Sequence, residues 1–215
     1  MTDAIKQLMQ NIEKNQMQAF YCETAADAVE QVRALLKEGD VISCGGSVTL
    51  AQSGVLELMR SGAYTFLDRS KAETPEAVEE IYRRTFSADV YLTSCNAITE
   101  QGWLYNVDGN SNRIAAIAFG PKSVIAVVGV NKIVKDLKAA ERRVKEIAAP
   151  KNTIRLEKDT YCAKTGECVS LQKADGQMCD GCACEARICA NFLVSARQRQ
   201  KNRIKVILVN QALGY

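Results

Sequence analysis

The sequence predicts an open α/β fold, a mainly parallel sheet with helices on both faces. Two observations carry this. Val90–Thr93 and Val124–Val128 are short β-branched runs without polar alternation, as in strands covered on both sides. These runs, with the late strand Ile204–Val209, alternate along the chain with segments of helical periodicity, the order expected of strand–helix–strand units.

The elements follow in sequence. Thr2 caps a first helix whose apolar positions Ile5, Leu8, Met9 and Ile12 recur at i, i+3, i+4, i+7. Strand Ala19–Cys22 leads through Thr24 into a helix carrying Ala25, Ala28, Val29, Val32 and Leu36, which Gly39 ends. Val41–Cys44 reads as a buried strand, followed by Gly45-Gly46-Ser47 and a helical pattern (Val48, Ala51, Val55, Leu58, Met59) that stops at Gly62. Tyr64–Leu67 is the next strand. Thr74-Pro75-Glu76 marks a helix start, with a capping residue, a proline in the first turn and an acid at the positive end. That helix should turn Val78, Ile81, Tyr82 and Phe86 inward. Asn131–Ile147 is predicted helical, with Ile133, Val134, Leu137, Val144 and Ile147 inward. The one composition break, residues 160–189, is rich in Cys, Gly, Lys and Asp and reads as a cysteine-rich insertion in a single α/β domain spanning 1–215.

Composition narrows the function classes. A net charge of +3 is too small to argue for nucleic acid or an acidic membrane surface, and the basic run Arg197–Arg203 reads as a solvated helix end. No apolar stretch approaches the ~18 residues of a spanning helix, and Met1–Gln10 lacks the apolar core of a signal peptide. A cytoplasmic protein is the expectation. In that compartment thiols stay reduced, so a cysteine cluster favours metal over disulfides. Six of the nine cysteines fall between Cys162 and Cys189: Cys162, Cys168, Cys179, Cys182, Cys184 and Cys189. The chain has no histidine, so imidazole ligands and histidine acid–base chemistry are excluded. Four thiolates suffice for zinc or a 4Fe–4S cluster, which leaves two of the six spare.

Three further blocks are candidates for chemistry. Gly45, Gly46, Ser47 and Thr49 sit where a strand hands over to a helix, where glycine allows close approach and free amides attract anions. The plain alternative is a tight turn with Ser47 as N-cap. Asn96, Glu100, Asp108, Asn112 and Arg113 crowd the segment after the strand Val90–Thr93, at the edge where open α/β sheets place ligands. Glu100 is a candidate nucleophile or base and Asp108 a candidate base. Their plain readings are a solvated loop acid and a hairpin turn at Asp108-Gly109. Lys122 and Lys132 bracket the strand Val124–Val128, each a candidate counter-ion for an anion and each equally readable as a surface lysine. Cys44 and Cys95 lie beside these blocks and would be reactive only with lowered thiol pKa values.

Together, NAIT-E-x-G-x-L-x-N-x-D-G-x-x-NR from Asn96 and A-x-x-x-GPK-x-VI-x-VVG-x-NKIV resemble the LUD-domain family of lactate-utilization proteins. The stretch Cys162–Cys168, Arg187-Ile188-Cys189 and Lys205–Tyr215 support the resemblance. It implies a fold similar to ribose-5-phosphate isomerases, glucosamine-6-phosphate deaminases and CoA transferases. Gly45-Gly46-Ser47 would then occupy the isomerases' phosphate site, and Thr99-Glu100-Gln101-Gly102 looks like the CoA-transferase glutamate loop, with Gln101 where asparagine is usual. Relatives with the cysteine segment are expected to be more compact there, and Val169–Met178 reads as inserted.

The leading expectation is a component of lactate or related organic-acid oxidation. It would bind a small anionic ligand with Gly45, Gly46, Ser47, Thr49, Asn96, Asn112, Arg113 and Lys132, and hold an iron–sulfur cluster or zinc on the clustered thiols. Association with lactate oxidation, an electron-transfer process, tilts the choice toward iron–sulfur. The expected partners are other lactate-oxidation components, and fold relatives often form homodimers. Two rivals stand beside it: a CoA-transferase-like or sugar-phosphate isomerase-like enzyme using Glu100 or Asp108, and a redox- or metal-responsive binding module.

Overall fold

The computed structural model describes residues 1–215. Helix Asp3–Lys14 (α1) is capped by the Thr2 hydroxyl and buries Leu8 and Ile12. Strand Gln18–Cys22 (β1) leads to helix Ala25–Leu35 (α2), which opens on a reciprocal capping box between Thr24 and Asp27. After strand Val41–Cys44 (β2), the helix expected to run unbroken to Gly62 is two short ones, Val48–Gln52 (α3) and Val55–Met59 (α4). Gly54 between them adopts φ +81°, a left-handed conformation that interrupts the helical ladder. Strand Thr65–Leu67 (β3), helix Pro75–Thr85 (α5) with Thr74 as its cap, and strand Val90–Thr93 (β4) follow. Phe86 departs from expectation: it is 38% exposed, while Thr85 is buried and its hydroxyl lies 2.7 Å from that of Ser43.

Strands Ala97–Thr99 (β5) and Leu104–Asp108 (β6) form an antiparallel hairpin, so the hairpin turn falls at Glu100–Gly102 and not at Asp108-Gly109. Helix Asn112–Ala118 (α6) and strand Ser123–Gly129 (β7) come next. The helix predicted from Asn131 starts later. Ile133–Val134 (β8) pair with β5, and helix Leu137–Arg143 (α7) begins only where the Asp136 carboxylate caps Ala139 N at 2.8 Å. Val144–Ala148 then widen into a π-helical turn that continues as helix Ala149–Arg155 (α8). The cysteine-rich segment contains helix Tyr161–Thr165 (α9) and a 3-10 turn, Val169–Gln172, but no helix or strand between residues 173 and 190. Strands Asn191–Ser195 (β9) and Ile204–Val209 (β10) complete the chain.

Six strands form an all-parallel sheet in the order β1-β10-β7-β4-β2-β3, and the other four form a small sheet β8-β5-β6-β9. Side-chain alternation divides the interior. On one face of the large sheet Ile125 and Val127 of β7 pack with Ala28 and Val32 of α2 and Leu50 and Val55 of α3 and α4. On the other, Val124, Ala126 and Val128 pack with Leu8 and Ile12 of α1 and Ala116 and Ile117 of α6. Helices therefore cover both faces, as predicted. A third cluster joins Ala97, Tyr105 and Val107 of the small sheet to Ala140, Val144, Ala148 and Ala149.

The segment 196–203 is not a helix end. Arg203 is buried and donates to the carbonyls of Pro121 (3.0 Å), Ile117 (2.6 Å) and Ala116 (3.1 Å), closing the C-terminal end of α6. No helix is long and apolar enough to cross a membrane.

Candidate functional site

Neighbouring strands β2 and β4 send their connections in opposite directions: β2 leads on to the edge strand β3, β4 toward β7. That reversal opens a crevice beyond their carboxyl ends, the place where open α/β sheets bind ligands. A cavity of about 340 Å³ occupies it. Gly45–Thr49 after β2, Thr93–Asn96 after β4, Asp108–Arg113 around the start of α6, Lys132, and residues of α8 line it. Every residue expected to bind an anion is present: Gly45, Gly46, Ser47, Thr49, Asn96, Asn112, Arg113 and Lys132. Asp108 is there too.

The lining is built on fixed groups. Gly45 lies so close to β4 that a Cβ would meet Tyr91 Oη at 2.8 Å and Arg113 Cδ at 3.2 Å. The Ser47 hydroxyl accepts from Leu50 N at 3.2 Å, so Ser47 is the N-cap of α3. Asp108 caps α6, its Oδ2 accepting from Arg113 N (3.0 Å) and Ile114 N (3.3 Å). The Arg113 guanidinium donates to Asn106 Oδ1 (2.7 Å), Asn96 Oδ1 (3.1 Å) and the Val107 carbonyl (2.6 Å), tying β6 to the loop after β4. Beneath them the buried Arg143 donates to the carbonyls of Asn96 and Asn131.

Lys132 forms part of the floor. It is 3% exposed, and its ammonium donates to Thr49 Oγ1 (2.8 Å), Ser94 Oγ (3.0 Å) and the Cys95 carbonyl (3.2 Å). All three N–H donors are engaged, so the Lys132 ammonium is held in place and is not a free nucleophile. Burial pushes its pKa down to about 8. The backbone of Gly214 closes over this group at φ +62°, where a Cβ would stand 3.3 Å from the Lys132 Nζ.

Three cations of the cavity were not singled out by the sequence reading. Arg69 follows the carboxyl end of β3, which is the signal that would have found it. It stacks over the Tyr82 ring at 5.7 Å and donates to Tyr82 Oη at 2.5 Å. Arg155 and Lys158 come from α8 and just beyond it, brought in by the third core cluster, and no local pattern marks them. Arg155 donates to Tyr215 Oη (2.7 Å) and Asn152 Oδ1. The guanidinium groups of Arg69 and Arg155 both approach Gly46.

Other candidates lie elsewhere. Glu100 is exposed in the β5–β6 turn against α1, where its carbonyl accepts from Asn11, and it does not line the cavity. Lys122 is exposed 3.8 Å from Asp89, outside the cavity. Cys44 and Cys95 are not activated: burial pushes the Cys44 thiol up to about 12 and raises that of Cys95.

All nine cysteines are unpaired. Cys162, Cys168, Cys182 and Cys189 line one small cavity beside the large one, whereas Cys179 and Cys184 do not. No three Cys, Asp or Glu side chains are grouped so as to hold a single metal ion.

The crystal structure of a DUF162 family protein from Deinococcus radiodurans is similar in fold, with a TM-score of 0.55 at 15% identity and 96% of each chain covered. No curated protein matches the chain. The LUD-domain family model matches residues 5–209, nearly the whole sequence, and the chain belongs to the LUD-domain family.

Proposed function

We propose that this LUD-domain chain serves the utilization of lactate or a related organic acid by binding a small anion at the carboxyl edge of its large sheet. One observation carries the reading: Arg69, Arg113, Lys132, Arg155 and Lys158 face a single cavity whose only acidic lining residue is Asp108. Low-dielectric walls focus such a charge excess on an entering carboxylate or phosphate. Arg69 and Arg155, which converge on Gly46, present the planar forks suited to bidentate recognition. Lys132 and Arg113, already hydrogen-bonded within the protein, set the potential of the floor. Asp108 is the one carboxylate placed to move a proton on a bound ligand. A glutamate-centred acyl transfer would have to work outside this cavity, where Glu100 stands.

In this reading the cysteine segment supplies a thiolate-held iron–sulfur cluster or zinc to the same process, in a reducing cytoplasm alongside further oxidation components. Thiolates bind either group when four converge. The segment brings the ligand chemistry, four thiols facing one small buried space, but as folded no three of them are grouped around one centre.

Calorimetric titration with L-lactate, pyruvate, a sugar phosphate and sulfate tests the anion site. Arg155→Gln and Arg69→Gln should each weaken the best ligand by about tenfold, or ~1.4 kcal/mol. No binding at millimolar concentration, or unchanged affinity in both variants, would sink the proposal.

The pH dependence follows from Lys132. Below its pKa of about 8 the floor carries the ammonium charge, and above it the charge is lost. Affinity for sulfate, whose own charge is constant in this range, should therefore fall as pH rises from 7 to 9, with proton uptake on binding near pH 8. A flat profile would remove Lys132 from the anion's field.

A further inference from the structure

Helix α6 is apolar on both sides. From Ile114 to Phe119 it reads Ile-Ala-Ala-Ile-Ala-Phe, without a polar residue. At about 100° per residue Ala116 and Ile117 share its inner side, and both are buried against the large sheet. Ala115, Ala118 and Phe119 therefore fall on the outer side. Ala118 is exposed, Ile114 and Ala115 are half-buried, and Phe119 is 85% exposed. Phe86 extends the apolar patch at the end of the neighbouring α5: β4 and β7 are adjacent and parallel, so the helices leading into them end at the same sheet edge. A helix that is apolar all round is ordinarily covered all round, but the outer side of α6 is covered by nothing within the chain.

The elements on either flank of this face carry opposite charges. Ser43 of β2, whose hydroxyl meets that of Thr85 in α5, is in register with Tyr91 of β4, and Tyr91 with Val124 of β7. Helix α5 thus packs on the same sheet face as α6, on its β2 side. Glu76, Glu79 and Glu80 of α5 are exposed, and Glu79 is engaged by Arg83 at 3.0 Å. The other flank is the segment 196–203, which leads into β10. Arg203 fastens it to the carbonyls of Ala116 and Ile117, while Gln198 N and Asn202 N donate to the carbonyls of Asn15 and Gln16 on the β1 side. Arg197, Arg199 and Lys201 of this segment are exposed. In the strand order β1-β10-β7-β4-β2-β3, the basic segment and the acidic helix lie on opposite sides of α6.

A two-fold rotation about an axis through the outer side of α6 exchanges those flanks. The surface is then complementary to itself, apolar centre on apolar centre and each basic segment on an acidic helix. A nucleic acid or an acidic membrane surface would instead be repelled by the α5 glutamates. We propose that this face is the contact surface of a symmetric dimer of the chain. Phe119 packs against the α6 of the other protomer, and Arg199 and Lys201 of each protomer meet Glu76 and Glu80 of the other. The two helices involved also shape the anion cavity, since α5 carries the Tyr82 that holds Arg69 and α6 begins with Asn112 and Arg113. The interface itself is independent of what fills that cavity.

Sedimentation equilibrium of the full chain tests this. Wild type should sediment at twice the 23.6 kDa of one chain, and more weakly as salt rises, because the flanking charges are exposed. Phe119→Asp should weaken the dimer by about thirtyfold or more while keeping its native circular dichroism. Two charge reversals, Arg199→Glu with Lys201→Glu and Glu76→Lys with Glu80→Lys, should each weaken it by about tenfold. Mixing the two reversed proteins should restore dimers, each containing one copy of either kind, a rescue that misfolding cannot produce. Wild type that stays monomeric up to about 100 μM overturns the dimer. A dimer indifferent to Phe119→Asp places the interface on another face, and reversed proteins that do not associate when mixed overturn the charge pairing. Each of these results leaves the anion proposal standing.

Discussion

Replacing Arg113 by alanine is expected to lower the unfolding free energy by about 3 kcal/mol and to remove most anion affinity in the same step. The side chain is 15% exposed and bridges Asn106, Asn96 and the Val107 carbonyl. Asn106 is fully buried, and its Nδ2 already lacks a partner. Without Arg113 its Oδ1 loses its guanidinium donor as well, leaving a buried amide short of partners on both ends. Asn96 keeps only the Val107 amide on its Oδ1 (2.9 Å) and loses the contact that orients it toward the cavity. Arg113→Lys separates the two effects: it restores the charge but not the fork, so affinity should recover more than stability. Urea denaturation and sulfate titration of both variants check this. A stability change within about 0.5 kcal/mol in Arg113→Ala would show that the network does not hold the site.

Gly102→Ala should destabilise the protein by about 3 kcal/mol or more, through the backbone alone. Gly102 closes the β5–β6 hairpin at φ +79°, and a Cβ there would stand 2.7 Å from Ile12 N and 2.9 Å from the Asn11 carbonyl carbon. Both are backbone atoms of α1, which cannot swing aside as a side-chain tip does. The contact matters because Asn11 and Asn15 donate to the carbonyls of Glu100 and Gln101, each at 2.8 Å, docking the hairpin on α1. Gly39→Ala is the control. Gly39 has φ +82° with nothing within 4 Å of its would-be Cβ, so it reports the conformational cost alone, about 1 kcal/mol. Equal losses of melting temperature in the two variants would refute the steric account. Anion affinity of the folded fraction should be unchanged in Gly102→Ala, since the turn lies outside the cavity.

The large sheet was legible because its strands are short, apolar and set off by turns. The bounds of β2, β4 and β10 match the runs read from sequence. The small sheet was not legible as such. Ile133 and Val134 continue the periodicity of the following helix, yet they pair with β5 because Asp136 places the helix cap after them. Likewise Gly54 divides a pattern whose apolar spacing alone continues through it. Arg203 sat in a run that reads as solvated, and only the packing of α6 against β10 makes its guanidinium a buried partner for three carbonyls.

The sequence by itself determined the alternation of strands and helices, the glycine turn after β2, the polar loop after β4, and the absence of any imidazole chemistry. These are local properties, fixed by side-chain periodicity, by turn residues and by which amino acids are present at all. Tertiary structure decided the rest. It sent Glu100 to an exposed turn, gathered Arg69 from one segment and Arg155 and Lys158 from a distant second one around a single cavity, and chose four of six clustered cysteines to face one buried space beside Tyr105. Such choices depend on which helix packs on which sheet face, a long-range balance of buried apolar area and satisfied polar groups that no window of neighbouring residues contains.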